Sequence, residues 1–284
     1  MKTGITGATG QLGRLVIGKL KEKTGASSIV ALVRNTEKAK DLGVEVRGFD
    51  YDKAETLAES LKGIDQLLLI SGSDIGQRAR QHANVVNAAK KAGVKKIVYT
   101  SLLHTGNTTV SLADEHLPTE NAVIESGIPY TILRNGWYTE NHTGSIGGVL
   151  AGGAVFGSAG NGKFSSAARV DFAVAAVVVL TEKGHDGKVY ELAGDEAYTL
   201  AEYADEIAKQ TGKNIVYNNL PVAEYAKILE SFGLPGFVAE AIASWDVSAS
   251  KGDLFDNSKT LSKLIGRPTT PLSQVVKDAL ADLK

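Results

Sequence analysis

The sequence contains no cysteine among its 284 residues. Disulfides, a thiol nucleophile and cysteine-ligated metal sites are therefore excluded. The same lack fits a reducing compartment, and we expect the protein to be cytoplasmic. The five histidines are scattered along the chain, and no two of them have ligand spacing on one helix, so we expect no metal site.

The chain also lacks an excess of either charge and any long apolar run. Its 31 basic and 32 acidic residues give a net charge of −1, which predicts no nucleic-acid partner. The longest apolar run, residues 172–180, has about half of the roughly 20 residues that a membrane span needs. We interpret it as a buried helix and expect no span. Lys2 leads into a glycine-rich turn, so we expect no secretory signal.

What the chain does have is a regular alternation of β-rich runs and amphipathic stretches in its first half. The predicted strands are a run that ends near Thr6, then residues 28–33, 44–48, 66–70, 96–100 and 130–134. The predicted helices are one that ends near Lys23, then residues 37–42, 54–61, 79–92 and 115–126. This alternation predicts an α/β protein with a Rossmann-type, doubly wound parallel sheet.

The alternation of β-rich and helical patterns becomes less regular after about residue 137. Residues 144–162 are rich in glycine with little periodicity, so we predict loops and turns near a site. Further on we predict a strand at 189–192 and a helix over 202–210 that is capped by Thr199. Helices are also predicted within 221–244, interrupted at 233–236, and over 256–266 and 272–283. We therefore predict a Rossmann domain over residues 1–137 and a smaller C-terminal substrate lobe over 138–284, with segments that return to the sheet.

The strongest motif is the glycine-rich stretch at residues 6–13, Thr-Gly-Ala-Thr-Gly-Gln-Leu-Gly. Gly7 permits a tight turn from strand to helix, Gly10 lets the backbone approach a pyrophosphate, and Gly13 removes a side chain where the helix crosses the sheet. The free N–H groups and the dipole of the helix then favour phosphate binding. The candidate dinucleotide-binding residues of this stretch are Gly7, Thr9, Gly10, Gln11, Leu12 and Gly13.

The end of the second strand discriminates between the two dinucleotides. An NAD-binding chain usually carries an acidic residue about 20 residues beyond the glycine motif, which binds the ribose 2′-hydroxyl. Here the strand ends at Arg34, and no acid follows before Glu37. A guanidinium suits a 2′-phosphate, so we predict NADP(H) as the cofactor. Lys38 is a candidate assistant in binding the 2′-phosphate, and Asp50 or Tyr51 is a candidate neighbour of the adenine.

Four segments together resemble the NmrA-like branch of the atypical short-chain dehydrogenases. They are residues 7–13, 33–35, 49–52 and 133–138. Within that branch they are most similar to the type 2 NAD(P)H:quinone oxidoreductases, and they are similar also to bacterial triarylmethane reductases. The resemblance extends over nearly the whole chain.

The resemblance implies further site residues. Ser71 and Gly72 would line the cofactor after the fourth strand, and Thr100 and Ser101 after the fifth. Asn135, Trp137 and Tyr138 would lie near the nicotinamide and the substrate.

Ordinary short-chain dehydrogenases use a Tyr-x-x-x-Lys pair, in which the lysine lowers the tyrosine pKa. The corresponding helix here has His116 and Glu120 at those positions. We therefore predict an enzyme that transfers a hydride from NADPH directly to a quinone-like acceptor, which needs little proton help. The candidate catalytic residues are His116 as proton donor, Tyr138 and Asn135. Trp137 and Tyr138 are candidates for stacking on the flat acceptor.

A second interpretation stays open. Some NmrA-like proteins bind the dinucleotide without turnover and regulate a partner according to its oxidation state. Loss of the Tyr–Lys pair is compatible with such a non-catalytic NADP(H) redox sensor. The sequence also leaves open whether the protein forms a homodimer.

Overall fold

The computed structural model describes residues 1–283, which form two compact units. We call the first the sheet unit; it contains Met1–Thr105, Leu112–Asn135 and Arg169–Leu192. We call the other the second unit; it contains Gly106–Ser111, Gly136–Ala168 and the chain from Ala193 on.

The strands are β1 (Thr3–Thr6), β2 (Ile29–Val33), β3 (Glu45–Gly48), β4 (Gln66–Leu69), β5 (Lys96–Leu102), β6 (Tyr130–Asn135), β7 (Ala154–Gly157), β8 (Lys188–Leu192) and β9 (Val216–Asn219). The α-helices are α1 (Gln11–Thr24), α2 (Ala54–Ser60), α3 (Arg78–Ala92), α4 (Ala113–Glu125), α5 (Glu140–Thr143), α6 (Ile146–Gly152), α7 (Arg169–Thr181), α8 (Leu200–Thr211), α9 (Val222–Ser231), α10 (Gly236–Ser250), α11 (Thr260–Ile265) and α12 (Leu272–Ala281). Short 3₁₀ helices cover Ala26–Ser28 and Glu37–Leu42.

The sheet unit is built on a seven-stranded sheet with the order β3-β2-β1-β4-β5-β6-β8. Every pair of neighbouring strands is parallel. β1, β2 and β4 are buried along their whole length, as expected for strands covered by helices on both faces. The strand order reverses between β1 and β4, so a crevice is expected beyond their carboxyl ends. This arrangement confirms the predicted Rossmann-type α/β fold.

The apolar run near residues 172–180 lies in α7, where nearly every side chain is buried. The helix packs against α1, and the carbonyl oxygen of Leu180 accepts a hydrogen bond from Nε2 of Gln66 at 3.0 Å. The interpretation of this run as a buried helix is therefore confirmed. Within residues 1–283, no helix has the length and apolar character needed to cross a bilayer.

The second unit contains a two-stranded parallel sheet of β7 and β9. The prediction of loops and turns across 144–162 was wrong, because this segment contains α6 and β7. Ile146 and Val149, three residues apart, are the buried face of α6. β7 pairs with a strand about 60 residues away, at Ala154 with Val216, and local periodicity cannot reveal such a partner.

Two helix boundaries of the second unit contrast with each other. Thr199 begins α8 with a capping box: its side chain accepts from the Glu202 amide, and the Glu202 carboxylate accepts from the Thr199 amide. The predicted cap is thus confirmed. The helix predicted over 256–266 is shorter, because only Thr260–Ile265 is helical.

Candidate cofactor site

The glycine-rich turn joins β1 to α1. Gly7 has a φ of +57°, in the left-handed region that favours glycine. The Gly10 amide donates to the Gly7 carbonyl oxygen at 2.9 Å and closes the turn. A Cβ atom on Gly13 would lie 2.3 Å from the Gly7 oxygen. A side chain at Gly13 would therefore push α1 away from the turn, and the positive φ at Gly7 favours glycine there, as a tight strand-to-helix turn requires.

The amino end of α1 has the features of an anion site. Gly10 is its N-cap, and no side chain of residues 1–283 caps that end by a hydrogen bond. The first turn, which begins with Gln11 and the buried Leu12, contains no acidic residue. The N–H groups and the positive end of the helix dipole are therefore available for a phosphate.

Arg14 is a residue that the sequence did not single out. Its Nε donates to the Thr9 carbonyl oxygen at 3.2 Å. Its terminal nitrogens reach the Asp41 carboxylate at 2.6 Å and the Lys38 carbonyl oxygen at 3.0 Å. Arg14 thus ties the glycine turn to the segment that follows β2. Its partners are about 25 residues away along the chain, so no local pattern signals this role.

Arg34 lies directly after β2, and its side chain is 66% exposed. One terminal nitrogen lies 3.4 Å from the Asp74 carboxylate, a long contact between exposed groups that contributes little energy. The guanidinium can therefore exchange this partner for a phosphate. Asp50, the other candidate after β3, accepts a hydrogen bond from the Asp52 amide at 3.2 Å.

Three successive amides beyond β4 are bound by side chains from three different elements. The Ile70 amide donates to Oγ1 of Thr6, and the Ser71 amide donates to Oγ1 of Thr100, each at 2.9 Å. The Gly72 amide donates to Nε2 of His82 at 3.0 Å. The hydroxyl of Thr100, a predicted cofactor residue, thus positions the turn that contains Ser71 and Gly72.

His116 is 5% exposed, and its Nδ1 lies 2.7 Å from the hydroxyl of Tyr99. Burial lowers the pKa of His116 to about 3, and the nearby positive charge of Arg78 adds to the effect. The imidazole is therefore neutral at neutral pH. Its assignment as proton donor stays a prediction, and a neutral ring has one N–H with which to donate.

Glu120 is one helical turn beyond His116, and its carboxylate is held by ionic and polar partners. Oε1 accepts from Oγ of Ser101 at 2.5 Å, and the guanidinium of Arg134 binds both carboxylate oxygens. Arg134 also contacts Glu191 at 2.8 Å, and the other oxygen of Glu191 accepts from the His104 amide. The hydroxyl of Ser101, a predicted cofactor residue, is therefore already engaged within the protein.

Asn135 is the last residue of β6 and is buried; its carbonyl oxygen accepts from the Leu103 amide at 2.9 Å. Trp137 and Tyr138 follow in the second unit, and both are half-buried. The Trp137 ring packs edge-to-face on Trp245, with centroids 5.7 Å apart. Trp245 belongs to α10 and was not predicted, since nothing near it in the sequence resembles a site.

No group of three or more metal-ligating side chains occurs among residues 1–283. The structure places the predicted cofactor residues Gly7, Arg34, Ser71 and Thr100 at or near the carboxyl ends of β1, β2, β4 and β5.

Residues 7–183 match a family model described as NAD(P)H-binding. The chain belongs to this NAD(P)H-binding family. Quinone oxidoreductase 2 of Escherichia coli strain K12 is 55% identical over 275 residues, which are 96% of each chain. An NmrA-like family domain-containing oxidoreductase of Aspergillus flavus is 28% identical over 99% of this chain and 96% of that protein. These relatives confirm the resemblance to NmrA-like proteins.

Solved structures of other NAD(P)H-binding proteins share the whole fold. An NADPH-dependent quinone oxidoreductase of E. coli, complexed with NADPH, superposes with a TM-score of 0.95 at 54% identity, covering 98% of this chain and 99% of that chain. Triphenylmethane reductase of Citrobacter, complexed with NADP(H), gives 0.94 at 41% identity, covering 98% and 100%. Both similarities extend well beyond the nucleotide-binding turn.

Proposed function

We propose that this protein is an NADPH-dependent reductase that transfers a hydride to a quinone-like acceptor. The observation that carries the proposal is the glycine cradle at the amino end of α1 in a chain 55% identical to Quinone oxidoreductase 2. The similarity extends over 96% of both chains, so it is not confined to the nucleotide-binding half of the chain.

The residues present fit NADP(H), because the turn combines a positive φ at Gly7 with close helix packing at Gly13, and the amino end of α1 carries no acidic residue. Gly7, Thr9, Gly10, Gln11, Leu12 and Gly13 would hold the pyrophosphate, and Arg34 the 2′-phosphate. Asp50, Ser71, Gly72, Thr100, Ser101 and Asn135 would complete the cofactor site. When bound, the reduced nicotinamide supplies the hydride.

The polar side chains of α4 favour an acceptor that needs little proton help. The His116 ring is neutral and buried, and the Glu120 carboxylate is bound by Arg134. Quinones suit such a site, since the reduced oxygens become resonance-stabilised phenolates. The protein then contributes mainly proximity and orientation.

In the second unit, Trp137 and Tyr138 are the proposed stacking residues for a flat acceptor. Asn135, at the end of β6, would hydrogen-bond the nicotinamide amide or the acceptor. His116, Tyr138 and Asn135 remain the proposed catalytic residues. His116 is the first of the three to test, because its ring is neutral whereas its proposed role is to donate a proton.

The proposal is tested by mixing the purified protein with NADPH and a small benzoquinone or naphthoquinone while the NADPH absorbance is followed. We expect turnover that saturates with quinone. Trp137→Leu should raise the KM for the quinone and leave the KM for NADPH nearly unchanged. Tight NADPH binding without turnover for any quinone would favour the redox sensor instead.

Two further assignments belong to the same proposal. The protein is proposed to be cytoplasmic, because a chain without cysteine has no disulfide to lose in a reducing compartment. A homodimer stays a prediction, and sedimentation of the purified protein would test it.

A further inference from the structure

Gly72 lies in the turn after β4, and two side chains of α3 bind its two backbone groups. Its amide donates to Nε2 of His82 at 3.0 Å, and its carbonyl oxygen accepts from Nε of Arg78. Arg78 and His82 are four residues apart, so they lie on the same face of α3. Both are buried.

The same two side chains are anchored on α4. A terminal nitrogen of Arg78 donates to the Glu115 carboxylate at 3.0 Å, and Nδ1 of His82 lies 3.0 Å from Oγ1 of Thr119. Glu115 and Thr119 are also four residues apart. Two series of hydrogen bonds therefore run from α4 through α3 to Gly72. One passes from Glu115 through Arg78 to the Gly72 carbonyl oxygen. The other passes from Thr119 through His82 to the Gly72 amide.

The hydrogen bonds define the tautomer of His82. An amide N–H can only donate, so Nε2 of His82 must be the unprotonated acceptor. The ring proton is therefore on Nδ1 and is donated to Oγ1 of Thr119, whose own proton goes to the Glu115 carbonyl oxygen at 3.0 Å. Burial keeps this ring neutral by lowering the pKa of His82 to about 4. The direction of the two His82 bonds follows from the Gly72 amide, which can only donate.

The position of Gly72 explains why such bonds are needed. The chain has left the sheet after β4, so its amides no longer have a partner on a neighbouring strand. Burying an amide without an acceptor would destabilise the folded state. Thr6, Thr100 and His82 supply acceptors to the three successive amides. The carbonyl oxygen of Gly72 is bound as well, by Arg78.

Resting on the proposed function, in which Gly72 lines the cofactor, we propose that His82 and Arg78 are positioning residues that orient the Gly72 peptide for NADPH binding. Neither needs to contact the cofactor. Without the acceptor on His82 the turn can adopt other backbone conformations, and the binding-competent one becomes a fraction of the total. The apparent NADPH dissociation constant then equals the intrinsic one divided by the fraction of molecules in the binding-competent conformation.

The test measures the dissociation constant for NADPH and the thermal unfolding midpoint of three variants. His82→Phe keeps the ring volume without an acceptor, and we expect the dissociation constant to rise about tenfold, the effect of losing one buried hydrogen bond. His82→Gln restores an acceptor oxygen and should recover most of the affinity. His185→Phe removes a histidine that bonds Tyr190 instead, and should leave the dissociation constant unchanged.

A kinetic measurement separates positioning from general loss of structure. In His82→Phe the KM for NADPH should rise while the KM for the quinone stays the same. A folded His82→Phe protein with wild-type affinity for NADPH would overturn the proposal and leave the proposed function intact. If that variant does not fold, Thr119→Val takes its place, because it removes the acceptor that holds the Nδ1 proton.

Nitrogen NMR of the cofactor-free protein tests the hydrogen-bond direction by itself. We expect His82 to carry its proton on Nδ1, and the Gly72 amide to exchange slowly with solvent. A His82 ring protonated on Nε2 would contradict the proposal whatever the enzyme assays give. A wild-type protein that binds no NADPH would overturn the proposed function first, and this inference with it.

Discussion

Arg134 donates two hydrogen bonds to the carboxylate of Glu120, from Nε to Oε1 at 2.9 Å and from a terminal nitrogen to Oε2 at 2.7 Å. Such a bidentate pair is strong and geometrically specific. Glu120 corresponds by resemblance to the lysine of the ordinary Tyr-x-x-x-Lys pair. The acid therefore serves to join α4 to β6, and it cannot lower the pKa of a neighbouring group as a lysine would.

We expect Glu120→Gln to lower the free energy of unfolding by about 1–3 kcal/mol, because Arg134 then keeps only the partly exposed Glu191 as its counter-charge. Urea unfolding at pH 7.5 measures this. Glu59→Gln is the matched control: its side chain is 72% exposed beside Lys62, and it should change stability by less than about 0.5 kcal/mol. Equal effects of the two variants would contradict a structural role for the Glu120–Arg134 pair.

Two glycines of α1 give opposite predictions. Gly13→Ala places a methyl group 2.3 Å from the Gly7 oxygen, so the turn must open and NADPH binding should be lost. Gly18 has nothing within 4 Å of its Cβ position. Gly18→Ala should therefore stabilise the protein by about 0.5–1 kcal/mol. Calorimetric titration with NADPH and thermal unfolding of both variants test the pair; normal NADPH binding by Gly13→Ala would count against the cradle.

Arg34→Glu should reverse the preference between the two dinucleotides. A carboxylate at the end of β2 repels a 2′-phosphate and can accept a bond from a 2′-hydroxyl, so the NADPH affinity should fall by about 10–100-fold. The NADH affinity should stay equal or rise. Lys62→Glu, an exposed charge reversal beside Glu59 and away from the predicted cofactor residues, is the control and should leave the ratio of affinities nearly unchanged. A constant ratio in Arg34→Glu would show that another residue binds the 2′-phosphate.

The stability of the protein should fall as the pH is lowered from 6.5. Burial lowers the pKa of His82 to about 4 and that of His116 to about 3, whereas an unfolded chain takes up these protons near pH 6.5. The unfolded state thus binds more protons below pH 6.5, and each ring should cost about 2 kcal/mol between pH 6.5 and 5. Unfolding free energies across this range measure the slope, which His82→Gln should reduce. A flat profile would contradict neutral buried rings.

Asp246 should have the opposite effect on the pH dependence of the unfolding free energy. Burial raises its pKa to about 6, while the Ser158 amide, which donates to its Oδ2 at 2.8 Å, opposes the rise. The folded state therefore holds the proton more tightly, so this group costs stability as the pH rises from 4 through 6. Asp246→Asn keeps an acceptor for Ser158 and should stabilise the protein at pH 7.5 by about 1–2 kcal/mol. Thermal unfolding compares it with Asp205→Asn, an exposed control that should have no effect.

The sequence by itself determined the sheet and the nucleotide-binding turn. Both are encoded locally: an apolar run such as residues 66–70 indicates burial on both faces, and the spacing of Gly7, Gly10 and Gly13 indicates a tight turn with close helix packing. The cap at Thr199 is local for the same reason, since its partner Glu202 is three residues away.

Only the tertiary structure decided the strand β7, the tie from Arg14 to Asp41 and the bridge from Thr119 through His82 to Gly72. Each depends on a partner that is distant in the chain, and the interaction exists only when folding has brought the two groups together. His82 and His116 illustrate the point, because sequence alone makes both ordinary histidines that titrate near neutral pH. Burial keeps both rings neutral at neutral pH, which no local pattern in the sequence indicates.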